Sequence, residues 1–378
     1  MAQALGRSRR EQVLLIALLL LAVLFVASRG LVADIGIYRQ YAEAFLRHGT
    51  FPREYPPLAL VPMLLAHAIA AMLHVRYAFA FIGLEAAALL AVTLVAGRPL
   101  LLLALLPLGP VLLGTYDLWP ILCLVLSYRL LERRPALSWL LLGTAIALKL
   151  FPILLIPLWW QRSRRGWGYL LLPLLTLYPP AMASVLRYQF ARQAEWESTV
   201  SLLSAVLTPA GMVLRHAFGS MEFYSALSNR LSLLLDAVYV LVFAWIAFWR
   251  RDLSLERRML LLLSLWFLTN KVLSAQYVEW VVCLGFAADL ALLPLGLLGW
   301  TTALLYPWLS AAVQFAQALG DAPGVATTLR VAMSLVGLRF AVWLWAVAAL
   351  LTPGGRAGGR GSPGRPGQAG RRRPLAKV

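Results

Sequence analysis

Acidic residues are scarce in this chain of 378 residues, which has 16 Asp and Glu against 34 Lys and Arg. Cysteine is scarcer still, and Cys123 and Cys283 both lie in apolar runs. Two cysteines so placed give neither a disulfide framework nor a metal-ligand spacing. The chain also has no Gly-rich phosphate loop, no strand-like alternation and no repeat of fixed period. It therefore has no motif for a nucleotide and no sign of a repeat protein.

Apolar residues dominate instead. Hydrophobic residues make up 61% of the chain, and its mean hydropathy is +0.77, whereas a soluble domain is about 45–50% apolar. A single core cannot absorb this excess, but a bilayer can. Because apolar runs of roughly 20 residues fit the hydrocarbon thickness, their recurrence along the chain predicts an all-α polytopic membrane protein. We expect roughly 10–13 membrane helices and short juxtamembrane helices.

The basic residues indicate the topology. They cluster in short loops at 129–134, 161–165 and 249–258, and they also precede the first apolar run at about 12–29. Short loops rich in Lys and Arg stay in the cytoplasm. The first run resembles a signal peptide, but the many runs after it favour an uncleaved helix. Residues 30–57 are therefore expected to face outward.

The C-terminal stretch at 353–378 differs from the rest. It has seven cations, no acid and abundant Gly and Pro, which predicts a disordered cytoplasmic tail after a membrane domain at 1–352. Such a tail can touch anionic lipid. Nucleic acid is not an expected partner, because no aromatic residue interleaves with the arginines.

Two stretches of the membrane domain need a closer topology argument. The apolar stretch at 136–160 lies between two basic loops, so it crosses an even number of times. We expect a broken pair of helices that turns near Lys149–Pro152, where proline interrupts the hydrogen-bond ladder. The parity between 58 and 117 stays open. Either one of its three apolar runs does not cross fully, or Arg98 lies outside.

With this topology, the remaining polar residues converge on the outward face. Ionisable groups at membrane depth are costly, so we take these residues as site candidates. In such a cavity the cations can hold a phosphate, and a carboxylate can take a proton from a nucleophile. The candidates are Asp34, Tyr38, Tyr41, Glu54, Tyr55, Lys149, Arg192, Glu197, Asn270, Lys271, Ser274, Gln276 and Tyr277.

Asp34 also has a purely structural interpretation, which local sequence favours. It can be the N-cap of a short helix at about 35–47 that Gly49 ends. On the wet face of that helix, Glu43 is spaced to pair with Arg39 and Arg47. One further face of the helix consists of Asp34, Tyr38, Tyr41 and Phe45. Spacing alone does not say whether that face is packing or the wall of a site.

Other candidates have structural alternatives too. Lys149 has no nearby acid in the sequence, and its alternative is snorkelling to the outer interface. Lys271 can neutralise a helix C-terminus, and Asp117 can be another helix cap. Tyr55-Pro56-Pro57 can be a rigid entry turn. Two acids within apolar runs have no assigned role, Glu85 and Asp289.

Taken in order, these residues resemble glycosyltransferase family 87, the bacterial polyprenyl-phosphate-sugar glycosyltransferases of the GT-C superfold. The resemblance covers most of the chain, and it rests on the order and common placement of several short blocks. The blocks are Asp34, Tyr38, Tyr41 and Gly49 with Glu54-Tyr55-Pro56-Pro57; Lys149-Leu150-Phe151-Pro152; Arg192 with Glu197-Ser198; Asn270 through Tyr277; and, more weakly, Tyr306-Pro307 and Arg339.

The resemblance implies a GT-C fold and a mechanism. Polyprenyl phosphate mannose, or a lipid-linked arabinofuranose, donates its sugar to a glycolipid or glycan at the outer side of the bacterial inner membrane. Asp34 acts as general base on the acceptor hydroxyl, and the anomeric centre inverts. Lys149, Lys271 and Arg192 stabilise the leaving phosphate, and no cofactor or metal is implied. Two other classes stay open, a lipid or glycolipid transporter or flippase, and a scaffold for envelope enzymes.

Overall fold

The computed structural model describes residues 9–27, 34–207, 213–217, 220–306, 309, 312 and 322–352. Helices make up nearly all of this part of the chain, as the sequence predicts. The predicted tail at 353–378 and Pro307 lie outside the described residues. The all-α class therefore holds for the described part, except for one small sheet.

The first half of the chain forms short helices joined by tight turns. Proline lies at the start of several pieces, where its missing N–H costs no hydrogen bond. In chain order the helices are α1 (Arg9–Ala27), α2 (Asp34–His48), α3 (Leu60–Leu73), α4 (Tyr77–Ala96), α5 (Leu100–Leu105), α6 (Gly109–Leu112), α7 (Leu118–Leu130), α8 (Pro135–Leu148), α9 (Ile156–Arg162), α10 (Leu171–Leu174) and α11 (Pro179–Ala191). Short 3₁₀ turns occupy Pro57–Ala59, Leu106–Leu108, Phe151–Leu155 and Trp167–Leu170.

The second half combines a small antiparallel sheet with longer helices. In chain order its elements are β1 (Ala194–Glu195), α12 (Thr199–Leu207), β2 (Val213–Ala217), β3 (Ser220–Tyr224), α13 (Ala226–Ala244), α14 (Leu255–Thr269), α15 (Tyr277–Ala288), α16 (Leu292–Leu305) and α17 (Ala322–Leu351). The strand order is β1-β3-β2, with Glu222 opposite both Glu195 and Arg215. The sequence analysis found no strand alternation, and it was wrong for this segment because the strands are only two to five residues long.

Several helices have the length and composition of membrane spans. Among the described residues, three are long and apolar enough to cross a bilayer, at Tyr77–Ala96, Leu227–Trp249 and Thr327–Leu351. The pair Trp167–Leu174 and Pro179–Ala191 adds a fourth if its 84° bend lies within one span. The other apolar helices have 10–17 residues, and 14 residues extend only about 21 Å. The chain is thus a membrane protein by these helices, and the larger count from the sequence stays a prediction.

The broken pair predicted at 136–160 is confirmed. Helix α8 runs toward Lys149, and the chain returns through a 3₁₀ turn and α9. The far ends of the two arms meet, since Arg162 at the end of α9 pairs with Glu132 before α8. Lys149–Pro152 therefore forms the tip of this hairpin, at the end opposite to the basic loops.

The position of Arg98 resolves the open parity. Arg98 pairs with Asp289, which thereby gains a role. The neighbouring Arg129 donates to the carbonyls of Ala96 and Ala287 at 3.1 and 2.8 Å. Arg98 thus lies beside the predicted cytoplasmic loop at 129–134 and not on the outward side. We call the surface that carries Arg98, Arg129, Arg162 and Arg258 the basic face, and the opposite end of the bundle the site face.

Helix α3 is the apolar run that does not cross between these faces. It begins next to Tyr55 and ends three residues before α4. The start of α4 lies at the site face, because Phe81 contacts Tyr38 of α2 and Tyr77 donates to the carbonyl of Met63 in α3. Since α4 ends at the basic face, both ends of α3 are on the site side.

Two apolar cores hold the bundle together. The larger core joins α4–α9 with α14–α17, and buried Trp139, Trp159, Trp280 and Trp343 are its largest aromatic members. The smaller core lies under α2, where Tyr38 packs with Met63, Phe81 and Tyr116. This second core attaches α2 to the site face and so positions the start of that helix.

Candidate functional site

Helix α2 presents Asp34 at the site face much as the sequence predicts. The helix spans Asp34–His48, and Gly49 ends it at φ 65° with an N–H bond to the Phe45 carbonyl of 2.8 Å. Arg39 Nε lies 2.7 Å from a Glu43 oxygen on the wet face, as predicted. Asp34 is the first residue of the helix rather than a residue before it. Its carboxylate therefore lies at the positive end of the helix dipole.

The surroundings of Asp34 raise the pKa of its carboxyl to about 6. Burial is the main cause, because removal from water disfavours the charged form. The carboxylates of Glu54, Asp117 and Glu195 act in the same direction, whereas the ammonium of Lys149 lowers the pKa. Residues from five separate segments thus act on this one carboxyl group.

Aromatic rings form one wall of the site. The Tyr38, Tyr55 and Tyr116 rings contact one another edge to face, with centroids 5.1–5.9 Å apart. Next to them, the Tyr41 hydroxyl donates to Glu54 at 2.9 Å. Edge-to-face packing fixes such rings in position. The predicted face of α2 is therefore both packing and site wall, and Tyr116 is a member that the sequence analysis missed.

Lys149 is buried and pairs with Asp117. Its Nζ lies 2.6 Å from Asp117 Oδ1, and the Trp280 indole N–H donates to the same oxygen at 2.7 Å. The snorkelling alternative for Lys149 is therefore wrong, because its side chain is only 10% exposed. The cap interpretation of Asp117 is also wrong. Asp117 precedes α7, but its side chain makes no capping hydrogen bond there.

Two aromatic rings flank the Lys149 ammonium. Its Nζ lies 5.3 Å from the ring centroids of both Tyr116 and Tyr277. Ring faces attract a cation, most strongly where water is excluded. The predicted site residue Tyr277 is in turn stacked on Phe267 at 4.7 Å. The ammonium is thus held between a carboxylate and two π faces.

Arg192 lies beside the small sheet. Its Nη2 donates to Ser220 Oγ at 2.9 Å, and its Nε lies 3.4 Å from Glu222 Oε1. Glu195 Oε1 is 3.6 Å from Nη2. Opposite charges close to the guanidinium raise the pKa of Arg192 above its usual range, so it is charged at every relevant pH. Neither Glu195 nor Glu222 was among the sequence candidates.

The loop before α15 fastens the same region. Lys271 Nζ donates to the carbonyls of Phe190 and Arg192 at 3.2 and 2.5 Å. This contact neutralises the C-terminal end of α11, so the structural role foreseen for Lys271 exists but serves another helix. Burial lowers the pKa of Lys271. Ser274 donates to both oxygens of Glu195 at 3.1 Å each.

The remaining candidates are further from Asp34 in their contacts. Glu197 pairs with Arg339 of α17 at 2.5 Å, and both side chains are buried. Asn270 accepts from the Val272 N–H at 2.9 Å, which is a local turn contact. Gln276 precedes α15 and makes no side-chain capping bond there. These three residues contribute to the scaffold of the site rather than to its Asp34–Lys149 centre.

Acids collect at the site although the chain has few of them. Glu85 and Glu279 are fully buried. Glu85 accepts from Trp119 at 2.9 Å, and neither Glu279 oxygen has a hydrogen-bond partner among the described side chains and backbone. Half of the 16 acids lie in or next to the site, namely Asp34, Glu54, Glu85, Asp117, Glu195, Glu197, Glu222 and Glu279.

Comparison with known proteins adds nothing to this description, since no protein-family model, curated protein or solved structure matches the chain. Within the ranges described above, no group of three or more His, Cys, Asp or Glu is arranged to hold a metal ion. What the residues offer is one carboxyl group of raised pKa, an aromatic wall and three nearby cations. That set can take a proton from a hydroxyl and bind an anionic group.

Proposed function

We propose that the protein is an integral-membrane inverting glycosyltransferase. It moves a sugar, with mannose as the first candidate, from a polyprenyl phosphate donor to a hydroxyl of a glycolipid or glycan. The observation that carries the proposal is the position of Asp34, a carboxyl group of pKa about 6 within electrostatic reach of the buried Lys149. The ordered blocks that resemble glycosyltransferase family 87 support the same reaction, as does the assembly of most of them around one site.

Asp34 suits the role of general base. A base works best when its pKa lies near the working pH, because it is then both deprotonated and able to hold a proton. An Asp with an ordinary pKa near 3.9 is a weaker base, and burial corrects this here. The rings of Tyr38, Tyr55 and Tyr116 provide flat apolar surfaces next to the carboxyl group, against which a sugar ring can lie.

The reaction balances with one carboxylate. The acceptor oxygen forms a bond to the anomeric carbon, and the bond from that carbon to the donor phosphate oxygen breaks. Asp34 takes the acceptor proton, and polyprenyl phosphate leaves as an anion. Because the phosphate needs little protonation, a second positioned carboxyl group is not required, unlike in a glycoside hydrolase.

Cations stabilise the negative charge that grows on the leaving phosphate. An ammonium has three N–H donors and a guanidinium has five. Asp117 is the one acceptor within hydrogen-bond distance of Lys149 Nζ in the described part of the chain. Arg192 uses only Nε and Nη2 for its described contacts. Both side chains therefore keep N–H groups for phosphate oxygens, whereas Lys271 acts mainly by fastening the loop.

The proposed orientation follows from the two faces of the bundle. Short loops rich in Lys and Arg stay in the cytoplasm, and these loops lie on the basic face. The site face then points outward, toward a lipid-linked donor in the outer leaflet of a bacterial inner membrane. The surrounding membrane lipids would hold the polyprenyl chain of the donor next to the site.

The test is a transfer assay with purified protein in nanodiscs. Radiolabelled polyprenyl phosphate mannose is mixed with a membrane glycolipid extract, and a lipid-linked pentose is used in parallel. The proposal expects label in a new glycolipid and release of polyprenyl phosphate from one of the two donors. A parallel experiment in proteoliposomes follows the leaflet of the intact donor. Movement of the donor between leaflets without sugar transfer would overturn the proposal in favour of a flippase.

A further inference from the structure

The small sheet has a specific relation to Arg192. Strand β3 places Ser220 and Glu222 on either side of its guanidinium, where Ser220 Oγ accepts from Nη2 at 2.9 Å. Glu222 Oε1 lies 3.4 Å from Nε, and the Arg192 side chain is 11% exposed. Arg192 itself follows the last residue of α11. A strand more than 25 residues further along the chain therefore determines the position of this side chain.

Glu222 is committed to this contact. Its side chain is fully buried, and a buried carboxylate is costly unless it is paired and hydrogen-bonded. Its second oxygen accepts from the Gln193 N–H at 3.2 Å, which ties it to the residue after Arg192. The Tyr224 hydroxyl lies 3.5 Å from the same oxygen. Both oxygens thus face the Arg192–Gln193 segment and the end of the strand itself.

We infer that Glu222, helped by Ser220, is a positioning residue that holds Arg192 ready for the phosphate of the donor. This inference rests on the proposed function, since it assigns Arg192 to the donor phosphate. An unheld arginine loses much rotamer freedom when it binds an anion, which weakens binding. With Nε and Nη2 fixed by the strand, the guanidinium has already lost that freedom before the donor arrives.

The carboxylate also limits how tightly Arg192 holds an anion. Part of the positive charge of Arg192 is neutralised by Glu222 and by Glu195, whose Oε1 is 3.6 Å from Nη2. The leaving polyprenyl phosphate carries more charge than the donor, so an unopposed arginine would retain the product. Glu222 thereby positions Arg192 for binding and allows release.

The experiment combines a double-mutant cycle with chemical labelling, on the full-length protein in nanodiscs. Polyprenyl phosphate without sugar is the probe, and its dissociation constant is measured for wild type, Glu222→Gln, Arg192→Ala and the double variant. Ser220→Ala removes the weaker support alone, and Glu222→Asp tests rescue by a shorter carboxylate. Labelling of Arg192 by phenylglyoxal, followed by mass spectrometry, reports on the side chain without any ligand. Glu43→Gln, in the exposed pair with Arg39, is the matched control.

We expect Glu222→Gln to weaken probe binding about tenfold and to raise the labelling rate of Arg192 several-fold. Glu222→Asp recovers part of both effects, and Glu43→Gln changes neither. In the Arg192→Ala background the Glu222 change has no further effect on binding, because it acts through that arginine. Additive losses in the cycle, or unchanged labelling in Glu222→Gln, would overturn the inference. If wild type does not bind the probe, the proposed donor site fails, and the labelling still decides whether Glu222 positions Arg192.

Discussion

Lys149 Nζ lies 2.6 Å from Asp117 Oδ1, although the two residues are 32 positions apart in the sequence. The pair joins the tip of the α8–α9 hairpin to the start of α7. Trp280 of α15 donates to the same carboxylate oxygen. Three separate parts of the bundle therefore meet at one buried ion pair next to Asp34.

Breaking this pair is expected to destabilise the protein strongly. Loss of one partner leaves the other charge buried and unpaired, which costs about 3–5 kcal/mol. Asp117→Ala and Lys149→Ala should each lower the unfolding temperature in detergent, followed by tryptophan fluorescence. The double variant Asp117→Leu/Lys149→Met should be more stable than either single alanine variant, because it leaves no unpaired charge.

The control for this prediction is the exposed pair of Arg39 and Glu43, where Glu43→Ala should leave the unfolding temperature unchanged, since exposed ion pairs contribute little. A double variant as unstable as the two losses added together would mean that Lys149 and Asp117 do not act as a pair.

The rate of transfer should depend on the ionisation of Asp34. A general base acts in its deprotonated form, so a pKa of about 6 predicts a rate that falls tenfold per pH unit below pH 6 and is level above it. The measurement is kcat/KM for the acceptor between pH 4.5 and 8, a range set from about two units around that midpoint. A rate independent of pH down to about 4.5 would contradict the raised pKa.

Two neighbours of Asp34 should move this midpoint in opposite directions. The charge of Glu54 raises the pKa of Asp34, and the charge of Lys149 lowers it. Glu54→Gln should therefore shift the acid limb to lower pH, while Lys149→Met shifts it to higher pH, whatever each does to the maximal rate. Shifts of the same sign in both variants would show that the limb belongs to another group.

Two glycines on one turn of α16 should respond differently to alanine. A Cβ at Gly299 would lie 2.3 Å from the carbonyl oxygen of Ala104, so α16 and α5 could not keep their close approach. A Cβ at Gly296 meets nothing within 4 Å. Gly299→Ala should cost about 1–3 kcal/mol of stability, whereas Gly296→Ala should be neutral or stabilising by up to about 1 kcal/mol. Equal unfolding temperatures for the two variants would refute this packing of α16 on α5.

The sequence was informative wherever the signal is local. Proline and the flanking basic loops located the hairpin with its tip at Lys149–Pro152. The spacing of Tyr38, Tyr41 and Phe45 located α2 and its packed face. Charge placement identified which loops lie together on the basic face. Each of these features depends on residues within one or two helical turns.

The remaining features depend on contacts between distant segments, which one sequence does not reveal. Asp117 resembles a cap because its partner Lys149 lies on another helix. Glu195 and Glu222 become visible only when β1 and β3 pair, and strands this short leave no period to read. Glu197 was grouped with Arg192 from proximity in sequence, but it faces Arg339 instead.

The most direct test of the account is the rate of sugar transfer by Asp34→Asn beside wild type. The substitution keeps the size of the side chain and removes only its ability to take a proton. Both proteins, together with the control Glu43→Gln, are first shown to be folded and inserted by their unfolding curves. Loss of a general base predicts a rate lower by about 10²–10⁴-fold in Asp34→Asn alone. Turnover close to that of wild type would contradict the role of Asp34 and, with it, the proposed mechanism.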